Sequence, residues 1–329
     1  MTLYKIISAF NPKDYFDSSS PLFSTRISLV AGIFIALVGM TLGLLEGSLA
    51  VQINGIIAAI DVLNSLMLLS AVGHSARNPD SIFNYGYGKY ESLSMLLSAT
   101  MMLLVTAYAL LELFRSFGSG SNEIGNYYIL VSFSALSFLI MWRMSKFQRS
   151  HAKKLGMPIL EFDADVWRSD SLIELGVLAN LIIGFVLIHF AFEDYARQID
   201  SITALLLTIY ALRVPLKGSL SALNQLLDRT LSKKVQDEIL DIIRSNANQM
   251  CEFIDIHSRQ SGKDIFIELD IILPFDYTMK QKSEVETKLQ NAIKEKYPNA
   301  ISRIYALSCQ GNCKNDGIRN CPIYLLKNN

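Results

Sequence analysis

Three carboxylates stand inside stretches that are otherwise apolar. Asp61 lies in Ala59-Ile-Asp-Val-Leu-Asn-Ser65, and Asp170 and Glu174 lie in Asp163-Ala-Asp-Val-Trp-Arg-Ser-Asp-Ser-Leu-Ile-Glu174. An ionisable side chain surrounded by hydrocarbon is costly and is by default a functional hypothesis. Residues four apart share a helix face, so Asp170 and Glu174 could present two oxygens to one ion. Asn64 lies one residue before Ser65, and Asn54 lies seven before Asp61 on the same face. All of these donors are oxygens. Zinc favours nitrogen and sulfur in tetrahedral geometry, whereas Mn²⁺, Mg²⁺ and Ca²⁺ accept oxygen ligands at higher coordination. Carboxylates gathered in such a site can also exchange a proton for a metal ion.

Plainer readings compete at several positions. Asn54, Asn64 and Ser65 could hydrogen-bond between helices, and Glu174 could pair with Arg168 or Arg213 or carry a coupling proton. Asp163 and Asp165 are expected at a helix start, where acids are favoured.

The elements that position these residues are membrane spans. The chain has 329 residues, 51% hydrophobic and only 18% charged, with a mean hydropathy of +0.30, too apolar for an ordinary soluble protein. A spanning helix needs about 20 apolar residues, and six stretches qualify: 25–48, 51–73, 90–115, 126–144, 164–190 and 199–217. Arg77 and Lys89 lie between the second and third, and Arg143, Lys146, Arg149, Lys153 and Lys154 between the fourth and fifth. Basic short loops face the cytoplasm, so both termini are expected there. The opposite side carries the turn near Ala50, Gly118-Ser-Gly-Ser-Asn122 with Glu123, and Glu193-Asp194 with Arg197. The first residues show no cleavable signal pattern, so the first span is expected to target the chain. Domains are expected at 1–24, a cytoplasmic segment; 25–217, six spans; 218–308, a soluble domain; and 309–329, a tail.

The soluble part reads as αββαβ. Val235, Ile239, Ile242 and Ile243 have helical spacing over 231–247. Phe253–His257 and Asp264–Leu273 read as strands joined at Ser261-Gly262 in a hairpin. A helix over 278–297 stops before Pro298, and Ile301–Leu307 is a third strand. The crossover from the second strand to the third should be right-handed, giving a small sheet with helices on one face.

The segment Asn84-Tyr-Gly-Tyr-Gly-Lys-Tyr-Glu-Ser92, with Ser169-Asp170 and Leu226-Leu227-Asp228-Arg229, resembles the cation diffusion facilitator family over roughly residues 20–308. The resemblance implies a six-helix polytopic membrane protein with a metallochaperone-like, ferredoxin-like cytoplasmic α+β domain, to which the run Ser258-Arg-Gln-Ser-Gly262 also points. It implies a homodimer in the bilayer, the bacterial cytoplasmic membrane being expected, that exports a divalent metal ion by proton antiport and alternating access. The family's tetrahedral site maps onto Asp61, Ser65, Val166 and Asp170. Here Ser65 replaces a carboxylate and Val166 replaces a His or Asp, so the expected metal ligands are Asp61, Ser65 and Asp170 with Asn64 and Glu174 as displaced donors. Mn²⁺ or Fe²⁺ is therefore expected ahead of Zn²⁺. The alternative is a non-transporting family member acting as a dimer partner or regulator. The family's loop histidines map onto Phe83 and Tyr87, leaving Asp80, and its strand histidines onto Ile254, Asp270 and Tyr305 with His257 displaced. His74, His151 and His189 read as loop or span-end surface. Lys89 and Asp228 could form a charge pair tying the spans to the soluble domain, or be solvated separately.

Four cysteines, Cys251, Cys309, Cys313 and Cys321, lie outside the predicted spans. If the first and third strands are antiparallel neighbours, Cys251 meets Cys309. The reducing cytosol leaves thiolates for metal, and the four either hold Zn²⁺, Fe²⁺ or an iron–sulfur cluster or are free thiols. No permanently bound cofactor is otherwise expected. No nucleophile–base pair, P-loop or dinucleotide fingerprint points to an enzyme, no pore-loop pattern to a channel, and dispersed basic residues give nucleic-acid binding no support.

Overall fold

The computed structural model describes residues 20–45, 49–116, 127–190, 193–246 and 250–309, with side chains 43–60, 112, 113, 116, 127, 188, 191–198, 200 and 201 outside the description. The described chain separates into two compact units, 1–224 and 225–329.

The first unit is a helical bundle: α1 Pro21–Leu45, α2 Leu49–Ser75, α3 Lys89–Ser116, α4 Tyr127–Leu155, α5 Pro158–His189, α6 Glu193–Ala211 and α7 Arg213–Leu226. Among the described residues five stretches are long and apolar enough to cross a membrane: Pro21–Leu42, Lys89–Leu111, Tyr128–Leu155, Pro158–Leu187 and Ile202–Leu226. A helix of 27 residues, α2, covers the second predicted span. Three expected boundaries shift. The fourth helix runs to Leu155 and the fifth begins at Pro158, because a helix need not stop where hydrocarbon does and the basic residues after Met144 are compatible with a helix in water. The sixth continues to Leu226 through a break at Leu212. Pro215 supplies the cause: it has no N–H to give and its ring excludes the carbonyl four residues back, at Ala211.

Two residues make the sharp hairpin between α4 and α5. Gly156 takes φ +62° and its N–H bonds the Ala152 carbonyl at 2.9 Å, closing α4 in the left-handed conformation that glycine adopts without steric cost. Pro158 then occupies the first position of α5, where its missing N–H costs nothing. The basic-rich end of the bundle is filled by one apolar cluster, including Leu22 of α1, Leu68 and Val72 of α2, Met95 and Ala99 of α3, and Ile159, Leu160 and Phe162 of α5. Gly218 of α7 lies so close to Phe162 that an added Cβ would sit 2.3 Å from its ring.

The second unit is α8 Lys233–Ser245, β1 Glu252–Ser261, β2 Asp264–Leu273, α9 Met279–Lys296 and β3 Ala300–Ser308, the αββαβ order read from sequence. Strands β1 and β2 are antiparallel across a turn in which Gly262 takes φ +60°, and β2 pairs parallel with β3. Ile239 and Ile243 of α8 and Val285, Leu289 and Ile293 of α9 pack on Ile267, Leu269, Ile271 and Ile304, so both helices cover one face. Thr278 opens α9 with a capping box to Gln281. The sheet order is β1-β2-β3, so the first and third strands are not neighbours. A crossover that brings β3 parallel to β2 leaves β2 central, because the hairpin already holds its other edge.

Candidate functional site

Helices α2 and α5 supply the expected site. Asp61 and Ser65 on α2 are half-buried, as are Asp170 and Glu174 on α5. Asp170 feels the charges of Asp61, Asp163 and Glu174, so the fold brings the carboxylates of both helices into one region. Asn64 is buried, 8% exposed, and its Oδ1 has no hydrogen-bond partner. A buried acceptor without a donor is costly, and a cation would satisfy it. Val166 packs against the apolar cluster, so that mapped position contributes no donor. Among the described residues no three His, Cys, Asp or Glu side chains converge closely enough to hold a metal ion. A metal ion held here would therefore need other oxygen donors, and Asn64 and Ser65 are the ones α2 offers. The side chain of Asn54 lies outside the description.

The plainer expectations resolve individually. Glu174 Oε1 accepts a 2.6 Å hydrogen bond from Ser134 Oγ of α4, rather than pairing with Arg168 or Arg213. Asp163 and Asp165 do not lie at the helix start, because α5 begins at Pro158 and Glu161 is the acid of its first turn. Asp163 is 6% exposed; its Oδ2 accepts from Ser28 Oγ at 3.0 Å and from Gln148 Nε2. Asp165 pairs with Arg149 and, at 3.3 Å, with Lys217. Ser28, Ser134 and Gln148 were missed by sequence reasoning; the available signal was a polar side chain in or beside an apolar stretch.

The Asn84–Ser92 segment is built around Asp80. Asp80 Oδ1 accepts the N–H groups of Ile82 and Phe83 at 2.9 and 2.7 Å, and Oδ2 accepts Tyr87 Oη–H at 2.5 Å. These bonds, that from Tyr87 foremost, hold the Asp80 carboxyl below its ordinary range. Gly86 takes φ +80°, Phe83 and Tyr87 lie against each other, and His74 stacks on Tyr90 at 5.1 Å.

In the second unit the register sets Asp270 opposite both Asp255 and Tyr305, with Ile254 at the β1 irregularity, so the three mapped strand positions are close neighbours. His257 is exposed and 3.9 Å from Asp255. Asp228 pairs with Arg259 at 3.2 Å, whereas Lys89 opens α3 in the other unit. Cys251 and Cys309 are not adjacent, since β2 lies between their strands. Their N–H groups instead bond the consecutive carbonyls of Ile272 and Leu273 at 2.8 and 2.9 Å, so both cysteines flank the end of β2. Cys313 and Cys321 lie outside the described residues.

Two family profiles match, the cation efflux transmembrane domain over residues 25–227 and the cation efflux protein cytoplasmic domain over 231–304. The chain belongs to the cation efflux family. Its relatives include the manganese efflux system protein MneP of Bacillus subtilis, 23% identical over 82% of this chain and 90% of that protein. An uncharacterized transporter of Methanocaldococcus jannaschii is 23% identical over 81% and 91%. The cation-efflux pump FieF of Yersinia pestis is 24% identical over 80% and 84%. The cation efflux membership makes the chain an integral membrane metal-cation transporter rather than an enzyme, and its αββαβ unit the family's cytoplasmic domain.

Proposed function

We propose that the chain exports a divalent cation from the cytoplasm in exchange for protons, by alternating access, with Mn²⁺ or Fe²⁺ preferred to Zn²⁺. The observation that carries this reading is the buried, unpartnered Oδ1 of Asn64 three residues beyond Asp61. With Val166 in the apolar cluster, the remaining donors Asp61, Asn64, Ser65, Asp170 and Glu174 are all oxygens, the set that harder cations accept. The manganese named for the B. subtilis relative agrees in kind. Basic residues at the α4–α5 turn support a cytoplasmic position for that end of the bundle and for both termini, in a bacterial cytoplasmic membrane.

The transporter works as a homodimer. The sheet face opposite the helices exposes Ile254, Ile301, Tyr305 and Leu307, an apolar surface suited to a second copy. A Lys89–Asp228 pair would join spans and soluble domain, with Arg259 sharing Asp228. The cysteines serve as free thiols, the alternative being a thiolate site for Zn²⁺ or Fe²⁺ that would include Cys251 and Cys309, which flank the end of β2.

Transport by purified protein in proteoliposomes under an imposed pH gradient tests the reading, with Mn²⁺, Fe²⁺, Zn²⁺, Co²⁺ and Cd²⁺ offered in turn. Uptake of Mn²⁺ or Fe²⁺ that Asp61→Ala and Asp170→Ala abolish supports it. Preference for Zn²⁺ overturns the oxygen-site argument, and no flux of any ion favours a non-transporting dimer partner or regulator, the reading that Val166 would also suit.

A further inference from the structure

We infer that Arg143 and Lys146 of α4, with Trp142 beside them, form a seat for the headgroup of an anionic phospholipid where this helix leaves the hydrocarbon. The helix has 29 residues, about 43 Å at 1.5 Å per residue, against about 30 Å of hydrocarbon. One end of it must therefore cross the headgroup layer. The sequence shows which end: residues 127–142 carry no charge, and Arg143, Lys146, Arg149, Lys153 and Lys154 follow.

A single face of α4 runs through the change. Leu136, Leu139, Arg143, Lys146 and Ser150 succeed one another at intervals of three and four, the spacing of one helix face, and all five are exposed. The first part of that face is apolar, Leu136 being 49% and Leu139 53% exposed, and in a membrane-spanning helix such a face meets acyl chains. From Arg143 onward the same face is basic. Trp142, 40% exposed, stands at the change, the level at which indole rings collect at a membrane–water interface. A face that meets acyl chains at Leu139 meets headgroups one to two turns later, at Arg143 and Lys146. This continuity names the occupant, a lipid of the same leaflet.

The charges there have no answer from the protein. Lys146 Nζ lies 3.6 Å from the centre of the Trp142 ring. Helix side chains lean toward the N-terminus of their helix, which for the outgoing end of α4 is toward the bilayer, so the ammonium is drawn back to the indole and not out into water. The ring holds that charge without neutralising it. From 124 to 160 the chain has no Asp or Glu, and among the described residues no ion pair includes Arg143 or Lys146, whereas Asp165 takes Arg149. Two cations are thus left at headgroup depth without an acid. A phosphodiester supplies the missing charge: the guanidinium can grip two of its oxygens and the ammonium adds a point charge. A zwitterionic choline headgroup brings its own cation and gains less.

The test is native mass spectrometry of the full-length protein in detergent micelles, titrated with phosphatidylglycerol or with phosphatidylcholine of the same chains, counting retained lipid. The wild type should hold phosphatidylglycerol at least tenfold more tightly. Arg143→Gln with Lys146→Gln should weaken it about thirtyfold, about fivefold for each charge at the membrane surface. Arg143→Lys with Lys146→Arg keeps both charges and should stay within about threefold of the wild type, the allowance for the lost bidentate grip. Lys153→Gln with Lys154→Gln lies roughly 10 Å farther along the helix, beyond the headgroup layer, and should change little. Trp142→Leu should weaken binding severalfold, and no further once Lys146 is Gln, because the ring acts by holding that ammonium. Unchanged phosphatidylglycerol binding by Arg143→Gln with Lys146→Gln, or equal loss from the Lys153 and Lys154 changes, would overturn the seat and leave a diffuse basic surface. Displacement of the lipid by equimolar glycerol 1-phosphate would overturn the lipid as its source. Metal flux enters none of these readings, so failure of the transport proposal leaves the seat standing.

Discussion

Ser134 Oγ of α4 donates a 2.6 Å hydrogen bond to Glu174 Oε1 of α5, fixing one carboxylate oxygen. Glu174 lies one turn beyond Asp170 on the same face, so this bond sets whether Glu174 can serve as a displaced ligand. Glu174→Gln keeps an acceptor for Ser134 and removes the charge. It should lower Mn²⁺ transport at least tenfold, while Ser134→Ala, which only frees the carboxylate, should lower it severalfold. Initial uptake rates in proteoliposomes check this. Undiminished transport by Glu174→Gln, with none by Asp61→Ala and Asp170→Ala, would return the site to the two aspartates.

Asn64 separates ligand from structural roles by sign. Leaving a buried acceptor unsatisfied costs about 1–3 kcal/mol, and Asn64 Oδ1 is such an acceptor. Asn64→Leu should therefore hold or raise the metal-free melting temperature while transport falls at least tenfold. A lower melting temperature would mean that Asn64 bridges helices instead.

Gly218 and Phe162 meet where α7 crosses α5, one residue from Asp163. A methyl group there forces a buried ring aside, and overpacking of this kind costs about 1–3 kcal/mol. Gly218→Ala should lower thermal stability, and Gly218→Ala with Phe162→Leu should recover most of the loss. Scanning calorimetry of the purified protein decides the point.

The pH dependence of the cytoplasmic domain should carry the mark of Tyr297 and Glu238. Tyr297 Oη–H donates to Glu238 at 2.5 Å, and Lys296 sits 3.2 Å from the same carboxylate. The Tyr297 hydrogen bond, then Lys296, holds Glu238 below its ordinary range. Burial, then Glu238, pushes Tyr297 up to about 12. A depressed carboxylate stabilises the fold above its unfolded pKa and loses that contribution as pH falls through the folded value. A raised phenol stabilises below its unfolded pKa and loses it as pH climbs to about 12. Stability from this pair should be level across neutral pH and fall at both extremes, and Tyr297→Phe should flatten both limbs and lower the melting temperature by a few degrees. Circular dichroism melts across pH read both slopes.

Cys251 and Cys309 stand on either side of β2, and two strand spacings of about 4.8 Å separate their backbones by roughly 10 Å. A disulfide needs Cα atoms within about 7 Å. Both thiols should alkylate without reductant after chelation, and metal analysis of the full chain should show no stoichiometric Zn²⁺ or Fe²⁺; about one ion that Cys251→Ser or Cys309→Ser removes would mean a thiolate metal site instead. A Cys251–Cys309 disulfide in the mass spectrum would contradict the sheet order.

Much of this was legible in the residues. Hydrophobic runs announce helices, five of which among the described residues are long and apolar enough to cross a membrane, because a membrane span must satisfy its own backbone, and the αββαβ order follows from period and turn residues. Asp61, Asp170 and Glu174 stand out for the same reason: charge in hydrocarbon has few neutral explanations. Helix ends were less legible, because hydropathy marks where lipid ends and not where hydrogen bonding does; hence α4 reaches Leu155 and α5 begins at Pro158.

What the sequence by itself determined is local: which segments are helices or strands, where Gly156, Gly262 and Pro158 turn the chain, and which polar groups lie among apolar neighbours. Only the tertiary structure decided the pairings. It gave Glu174 to Ser134, Asp163 to Ser28 and Gln148, Asp165 to Arg149, and placed β2 between the strands that lead to Cys251 and Cys309. The physical reason is range. Period, propensity and hydrophobicity act within a few residues along the chain, whereas the partner of a side chain facing inward depends on how whole helices rotate and pack, and that is settled by the shape of every surface in the bundle at once.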